Sequence, residues 1–333
     1  MRDTFRTSHR LCTAPMMDCS DRHCRYFFRQ LAPHARLYTE MVTTGALLHG
    51  DVERHLRFDH AESPVALQLG GSEPDDLARC ARLGAEWGYD EINLNCGCPS
   101  ERVQKGAFGA FLMREPELVA DCVRAMREAV SILVSVKHRM GVDHVESFDF
   151  VQRFVDTVAQ AGCGTFIVHA RNAILKGLSP KSNRTAPPLR YDDVYRLKQT
   201  FPELAFVLNG GVASVTDIDA HLARVDGVML GRAAYHDSYA LAEADARIFG
   251  GVAPSRADVV RAMAVYAQRE MREGTPLRAI ARHLLGLFHG EPRAREWRRM
   301  LSEASRLAEN GPQLLLEALA LVEGVVPGLS EAA

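Results

Sequence analysis

The segment Asn93-Leu94-Asn95-Cys96-Gly97-Cys98-Pro99-Ser100 puts two thiols and two carboxamides in a Gly/Pro-punctuated loop, directly after an apolar run that reads as a buried strand. A thiol at a strand mouth, with amides around it, is placed to act as an acid, a nucleophile or a ligand. One residue separates Cys96 from Cys98, which fits neither a zinc C-x-x-C pair nor a thioredoxin-type motif, and no second half with matching His/Cys spacing follows. No metal is expected. The eight cysteines are scattered through the chain behind a polar start without a signal-peptide core, so reduced thiols in a cytoplasmic protein are the expectation.

Other strand ends bring further chemistry. They are Ala14-Pro15-Met16-Met17, Gln68, Lys137 with Arg139, His169 with Arg171, Asn209-Gly210-Gly211 and Gly231-Arg232. Each alone is an ordinary cap or a solvated charge; their joint position is the signal. Glycines let backbone N–H groups approach a phosphate, and Arg232 adds a fork-shaped cation. The same glycines also suit tight turns. Gln68 offers its amide to the edge of a flat heterocycle, and Pro15, Met16 and Met17 offer apolar atoms and backbone amides along its face. Lys137 either places a positive charge beside the pyrimidine end of a flavin or, with its pKa lowered by burial and Arg139, serves as a Schiff-base amine in an aldolase.

These residues need a scaffold that gathers strand ends. Short β-type runs at Leu11–Met16, Arg36–Thr39, Pro64–Leu69, Glu91–Asn95, Leu133–His138, Thr165–His169, Ala205–Asn209 and Gly227–Leu230 alternate with amphipathic helical stretches. Eight strand–helix repeats predict a (β/α)8 TIM barrel over the alternative of an open doubly wound sheet. In such a barrel the active site lies at the C-terminal strand ends, and the loops after strands seven and eight cradle phosphate. Strand signals stop near Gly250, so residues 1–248 are expected to form the catalytic barrel and 249–333 a helical domain with helices at Ala257–Arg272, Leu277–Phe288, Glu291–Leu307 and Gln313–Val322. The polar stretch Arg171 to Arg190 has the length of a lid or binding loop. No apolar run is long enough to span a membrane. A net charge of −2 excludes a uniformly basic nucleic-acid binder. Local clusters remain: six arginines between Arg278 and Arg299 face only Glu291 and Glu296. Arg295 and Arg298, three apart, share a helix face, and Lys181 and Arg184 have the same spacing in the long loop.

Taken together, Ala14-Pro15-Met16, Leu37–Ala46, Gln68-Leu69-Gly70-Gly71, Asn93–Ser100, Lys137-His138-Arg139, His169-Ala170-Arg171, Gly177–Pro180, Asn209-Gly210-Gly211 and Gly231-Arg232 resemble the tRNA-dihydrouridine synthases in order and along essentially the whole chain. The Tyr38–Ala46 run and the Gly177–Arg184 loop resemble most the synthase A branch, which acts on D-loop uridines 20 and 20a. The resemblance implies FMN as prosthetic group, NADPH as reductant and tRNA as substrate; no protein partner is implied, and a monomer is expected. It assigns the flavin to Pro15, Met16, Met17, Gln68, Lys137, His169, Asn209, Gly210, Gly211, Gly231 and Arg232. By the same likeness Cys98 protonates C5 of the uracil after hydride reaches C6, a task for which an ordinary thiol, titrating near ~8.5, needs no depressed pKa. Asn95, Arg139, Lys181, Arg184, Arg295 and Arg298 are the implied contacts to tRNA or its base. Cys96 stands where many relatives carry a small apolar residue, and is expected to fill an apolar site. A strained Cys96–Cys98 redox pair is the alternative. Other FMN barrels reducing dihydroorotate or dihydropyrimidines, the Lys137 lyase and a non-enzymatic RNA scaffold are the competing readings.

Overall fold

The computed structural model describes residues 9–100, 106, 108–145 and 147–324. Among these, eight parallel strands form one sheet: β1 (Leu11–Thr13), β2 (Leu37–Thr43), β3 (Val65–Gly70), β4 (Glu91–Cys96), β5 (Leu133–Arg139), β6 (Thr165–His169), β7 (Ala205–Asn209) and β8 (Gly227–Leu230). They pair in the order β1-β8-β7-β6-β5-β4-β3-β2. The ring closes at a parallel bridge between Cys12 and Arg36. There the Thr13 N–H donates to Arg36 O at 3.0 Å and the Arg36 N–H to Leu11 O at 2.9 Å. Closure makes this a (β/α)8 barrel, with helices between successive strands.

Local chemistry explains most element boundaries. The helices Pro74–Glu86 and Pro116–Ala129 open with proline at their first turn, where the missing N–H costs nothing. Ser147 and Ser214 cap the helices Phe148–Gln160 and Val215–Leu222 through their hydroxyls. Two local features were not foreseen. Strand β2 continues past an irregularity between Tyr38 and Met41 to Thr43, whose side chain then caps a short helix, Thr44–His49. At the helix Pro74–Glu86, Glu73 stands at the cap position and makes no side-chain cap bond.

Packing divides the chain into two compact units. The first contains the barrel strands: the described residues up to Ser20, with Ala35–Gly231. The second contains Asp21–His34 and the described residues from Arg232 onward. The line drawn by contacts therefore lies elsewhere than residue 248, because the helix Arg22–Leu31 packs with helices late in the sequence. Its Arg22 pairs with Glu270, its His23 Nδ1 lies 2.7 Å from Tyr266 Oη, and Tyr26 stacks on Tyr266 with ring centroids 3.9 Å apart.

Two expected long helices in this second unit are broken. Leu277–Phe288 is a helix over Leu277–Ala281 followed by a 3-10 turn at Leu284–Gly286. A Cβ on Gly286 would fall 2.7 Å from Tyr235 O, so two stretches of backbone meet there. Glu291–Leu307 becomes Ala294–Met300 and Ala304–Glu309, the first behind Arg293 in a left-handed conformation. Trp297 anchors this region, fully buried, with its ring 4.7 Å from that of Phe288 and its Nε1–H donating to Leu284 O at 2.9 Å. Among the described residues, no helix is long and apolar enough to cross a membrane.

Candidate active site at the strand ends

Strand periodicity sorts the residues of β4 into two faces. Ile92 faces the covering helix Pro74–Glu86, since a Cβ on Gly84 would lie 2.7 Å from its Cδ1. Cys96 shares this outward parity, is fully buried, and pairs in register with His138, whose ring packs on Phe154 of the helix Phe148–Gln160. Burial pushes the Cys96 thiol well above its ordinary value. Glu91, Asn93 and Asn95 take the inward face.

Beyond β4 the chain turns. Asn95 Oδ1 accepts the N–H groups of Gly97 at 3.0 Å and Cys98 at 2.9 Å, an Asx-type turn that presents Cys98. The Cys98 thiol is half-exposed and points its proton at Ser100 Oγ, 3.6 Å away. The two cysteines therefore differ in environment: Cys96 is fully buried, and Cys98 is partly exposed. Both are free thiols.

Around Cys98 the rim is densely bonded. Gln68 Nε2 donates to Asn93 Oδ1 at 2.7 Å, and Gln68 Oε1 accepts from Asn95 Nδ2 at 2.8 Å. Lys137 Nζ donates to Asn209 Oδ1 at 3.0 Å, and Asn209 in turn donates to Met229 O at 2.8 Å. Burial, then the neighbouring Arg139, pushes the Lys137 ammonium down to about 7. His169 is buried against the turn after β7, where a Cβ on Gly210 would lie 3.2 Å from its Nε2.

Several expected contacts have a different geometry. Arg139 is buried: Nε donates to Gly97 O at 3.1 Å, and Nη1 to Asn183 O at 2.9 Å and Asn172 O at 3.3 Å. It clasps the Cys98 turn to the loop after β6. Asn95 spends both lone pairs of its oxygen on the Cys98 turn, so its base-contacting capacity is limited to a remaining N–H. The Met16 amide donates to Ser20 Oγ at 2.9 Å instead of facing outward, while the Met17 side chain is 56% exposed and Pro15 half-buried. Lys181 and Arg184 are exposed on either side of buried Asn183, whose amide ties the loop to Ile174, Leu178 and Ser179. Arg232 opens the helix Arg232–His236 of the second unit, where Arg295 and Arg298 lie exposed on Ala294–Met300.

The three rim glycines are not equivalent. Gly210 and Gly211 have φ of 102° and 80°, and a Cβ on Gly211 would fall 2.3 Å from Tyr191 Oη. Here the fold itself demands glycine. Gly231 has no positive φ, and a Cβ there would meet nothing nearer than Ala14 Cβ at 3.6 Å. Its missing side chain leaves space beside the backbone, as a phosphate cradle requires. The unspent donors fit a flavin as well: two N–H groups of Lys137 and one each of Gln68 and Asn95 have no acceptor among the described residues.

Sequence reasoning passed over the inward residues beneath this rim, Glu91 and Ser135, and the Arg139 and Asn183 clasp. The alternation Glu91, Asn93, Asn95 and Ser135, Lys137, Arg139 was the available signal.

Strand ends that bring an enclosed lysine, several amides, a histidine and an open glycine to one rim give this (β/α)8 barrel the layout of an enzyme site. A family model described as Dihydrouridine synthase (Dus) matches residues 12–323. A tRNA-dihydrouridine(20/20a) synthase of Synechocystis sp. is 56% identical over 311 residues, covering 93% of each chain. Proteins of the same name from Xanthomonas campestris pv. campestris and Pseudomonas aeruginosa are 55% and 53% identical, covering 94% of both chains in the first case and 95% and 96% in the second. The chain belongs to the dihydrouridine synthase family, and is thus a flavin-dependent oxidoreductase.

Proposed function

We propose that this enzyme reduces the C5–C6 double bond of uridines 20 and 20a in the tRNA D-loop to 5,6-dihydrouridine, with FMN as prosthetic group, NADPH as reductant and Cys98 as proton donor. The observation that carries this reading is the half-exposed Cys98 thiol, held by its own backbone N–H on the rim where Lys137 and Gln68 keep unspent donors. The relatives named for positions 20 and 20a, more than half identical over nearly the whole chain, support the choice of substrate.

Gln68 and Lys137 would hold the heterocycle edge of the flavin, with Pro15, Met16 and Met17 along it. His169, Asn209 and the Gly210-Gly211 turn would line the way to the phosphate, received by Gly231 and Arg232. A flavin held by these residues would supply the hydride chemistry needed at C6. Cys98 would give the Sγ proton to C5, and its partial exposure would let solvent restore that proton. Extruding the base costs a few kcal/mol, which phosphate contacts must offset. Lys181 and Arg184 on the loop after β6, and Arg295 and Arg298 on the second unit, are exposed cations suited to that task. On this reading residues 1–248 of the sequence, which include the barrel strands, carry catalysis, and 249–333 contributes to tRNA binding.

The test is purified protein supplied with FMN, NADPH and unmodified tRNA. Yellow protein and dihydrouridine at positions 20 and 20a are expected. Colourless protein after FMN addition, or product at other positions only, would overturn the cofactor or the site assignment respectively.

A further inference from the structure

The rim rests on an unusual object: a chain of polar side chains inside the barrel that ends at the Cys98 turn. At its base lies Glu91, fully buried at the N-terminal end of β4. Its carboxylate is paired with His9 Nε2 at 2.8 Å and Arg36 Nη1 at 3.2 Å, and accepts from Tyr38 Oη at 2.9 Å and from the Ser135 hydroxyl. Ser135 Oγ accepts from Asn93 Nδ2 at 2.7 Å. Asn93 Oδ1 accepts from Gln68 Nε2, Gln68 Oε1 accepts from Asn95 Nδ2, and Asn95 Oδ1 accepts from the Gly97 and Cys98 N–H groups. Gln68, Asn93 and Ser135 are register partners on β3, β4 and β5, so the chain crosses three strands while climbing β4.

Every donor in this chain points the same way, toward Glu91. A carboxylate can only accept, so Ser135 must donate to it and turn its lone pairs to Asn93. That fixes which end of the Asn93 amide faces Ser135, and the same logic then fixes Gln68 and Asn95. Burial alone would raise the Glu91 carboxyl, but His9 and Arg36 hold it down at about 2, so the acceptor end stays charged across the working pH range. The interior of the barrel makes each reversed amide costly, since two carbonyls or two N–H groups would then oppose each other without water.

We propose that Glu91, Ser135 and Asn93 are positioning residues for the reaction. Through this one-way relay they set the Gln68 and Asn95 amides, and so hold the Cys98 turn in the geometry that delivers its proton. The role as proton donor rests on the function proposed above; the relay itself does not.

The experiment cuts the relay at two links in the FMN-loaded protein, with Ser135→Ala and Asn93→Leu, and restores the hydroxyl with Ser135→Thr. Amide hydrogen exchange at Gly97 and Cys98 and the rate of iodoacetamide alkylation of Cys98 are followed by mass spectrometry, neither of which needs turnover. In the unaltered protein both amides should be protected despite lying in a loop. Each cut should speed their exchange about tenfold and change the alkylation rate. At saturating FMN, kcat should fall about tenfold with the KM for tRNA within about twofold, the pattern of a lost transition-state arrangement. Ser135→Thr should recover all three. Fast exchange at Gly97 and Cys98 in the unaltered protein would overturn the relay, as would folded variants with unchanged exchange or with a change confined to KM. Altered exchange in a protein that never forms dihydrouridine would leave the relay standing and remove the proposed function instead.

Discussion

The rim around Cys98 and the arginine-rich face of the second unit are both polar, yet they are built in opposite ways. At the rim the polar side chains are tied to neighbours and keep only a few donors unspent: Asn95 is bonded to the Cys98 turn, Gln68 to Asn93 and Asn95, Arg139 to three backbone carbonyls. Arg295 and Arg298 are exposed and have no carboxylate partner among the described residues. On the function proposed above, the difference follows from what each region would do. A proton donor has to sit within hydrogen-bond reach of one carbon, which demands side chains locked by their surroundings. Attraction of a polyanion needs charge at a surface and little else.

The sharpest way to break that comparison is Arg139, which by charge alone belongs with the second group. Arg139→Ala should leave three backbone carbonyls unpaired, two of them on buried residues, lowering stability by about 3 kcal/mol and activity about 100-fold. Denaturant titration alongside steady-state kinetics checks it. A raised KM for tRNA with unchanged stability would move Arg139 to the RNA-binding group.

The glycines separate packing from ligand binding. Gly211→Ala collides with Tyr191 at a positive φ and should cost about 2 kcal/mol or more. Gly231→Ala should leave the melting temperature within about 2 °C, yet weaken FMN binding about tenfold, as measured by fluorescence titration of the apoprotein.

Lys137 gives a pH signature. Its folded-state value of about 7 lies below that of a free lysine. The buried ammonium therefore costs stability in full below pH 7, and the cost is relieved as pH rises from there toward the unfolded value near ~10.4. Without flavin, Lys137→Met should melt a few degrees higher than the unaltered protein at pH 6, and the gap should shrink by pH 9. The same variant should bind FMN more weakly. An equal gap at both pH values would show that the lysine is not desolvated.

The smallest effect is expected on the exposed face. Arg295→Ala with Arg298→Ala should weaken tRNA binding about three- to tenfold and lower the slope of log affinity against log salt by about 1 to 2, with NADPH oxidation unchanged. An unaltered slope would place the phosphate contacts elsewhere.

Much of this was legible from the residues. The strands Thr165–His169, Ala205–Asn209 and Gly227–Leu230 match their apolar runs to the residue, because a fully buried parallel strand has no polar face to blur its ends. Strand ends also identified the rim, since barrel topology maps position along each strand onto one face of the molecule. What the pattern could not convey was hydrogen-bond direction. Asn95 and Arg139 are polar residues beside the Cys98 thiol, and only the folded structure shows that their atoms turn inward to the Cys98 turn and the loop after β6. The helical unit was hidden for another reason: Arg22–Leu31 and Arg256–Arg272 are distant in sequence, and composition says nothing of which helices share a core.

Two thiols two residues apart, one buried and one half-exposed, allow the central claim to be tested in a single measurement. Dihydrouridine formed per FMN in a single turnover on unmodified tRNA is compared for the unaltered protein, Cys98→Ala and Cys96→Ala, each with its flavin spectrum recorded. The account predicts yellow protein in all three, a loss of about 1,000-fold or more for Cys98→Ala and a change of less than about threefold for Cys96→Ala. Equal losses in both variants, or full product from Cys98→Ala, would contradict the assignment of Cys98 as proton donor.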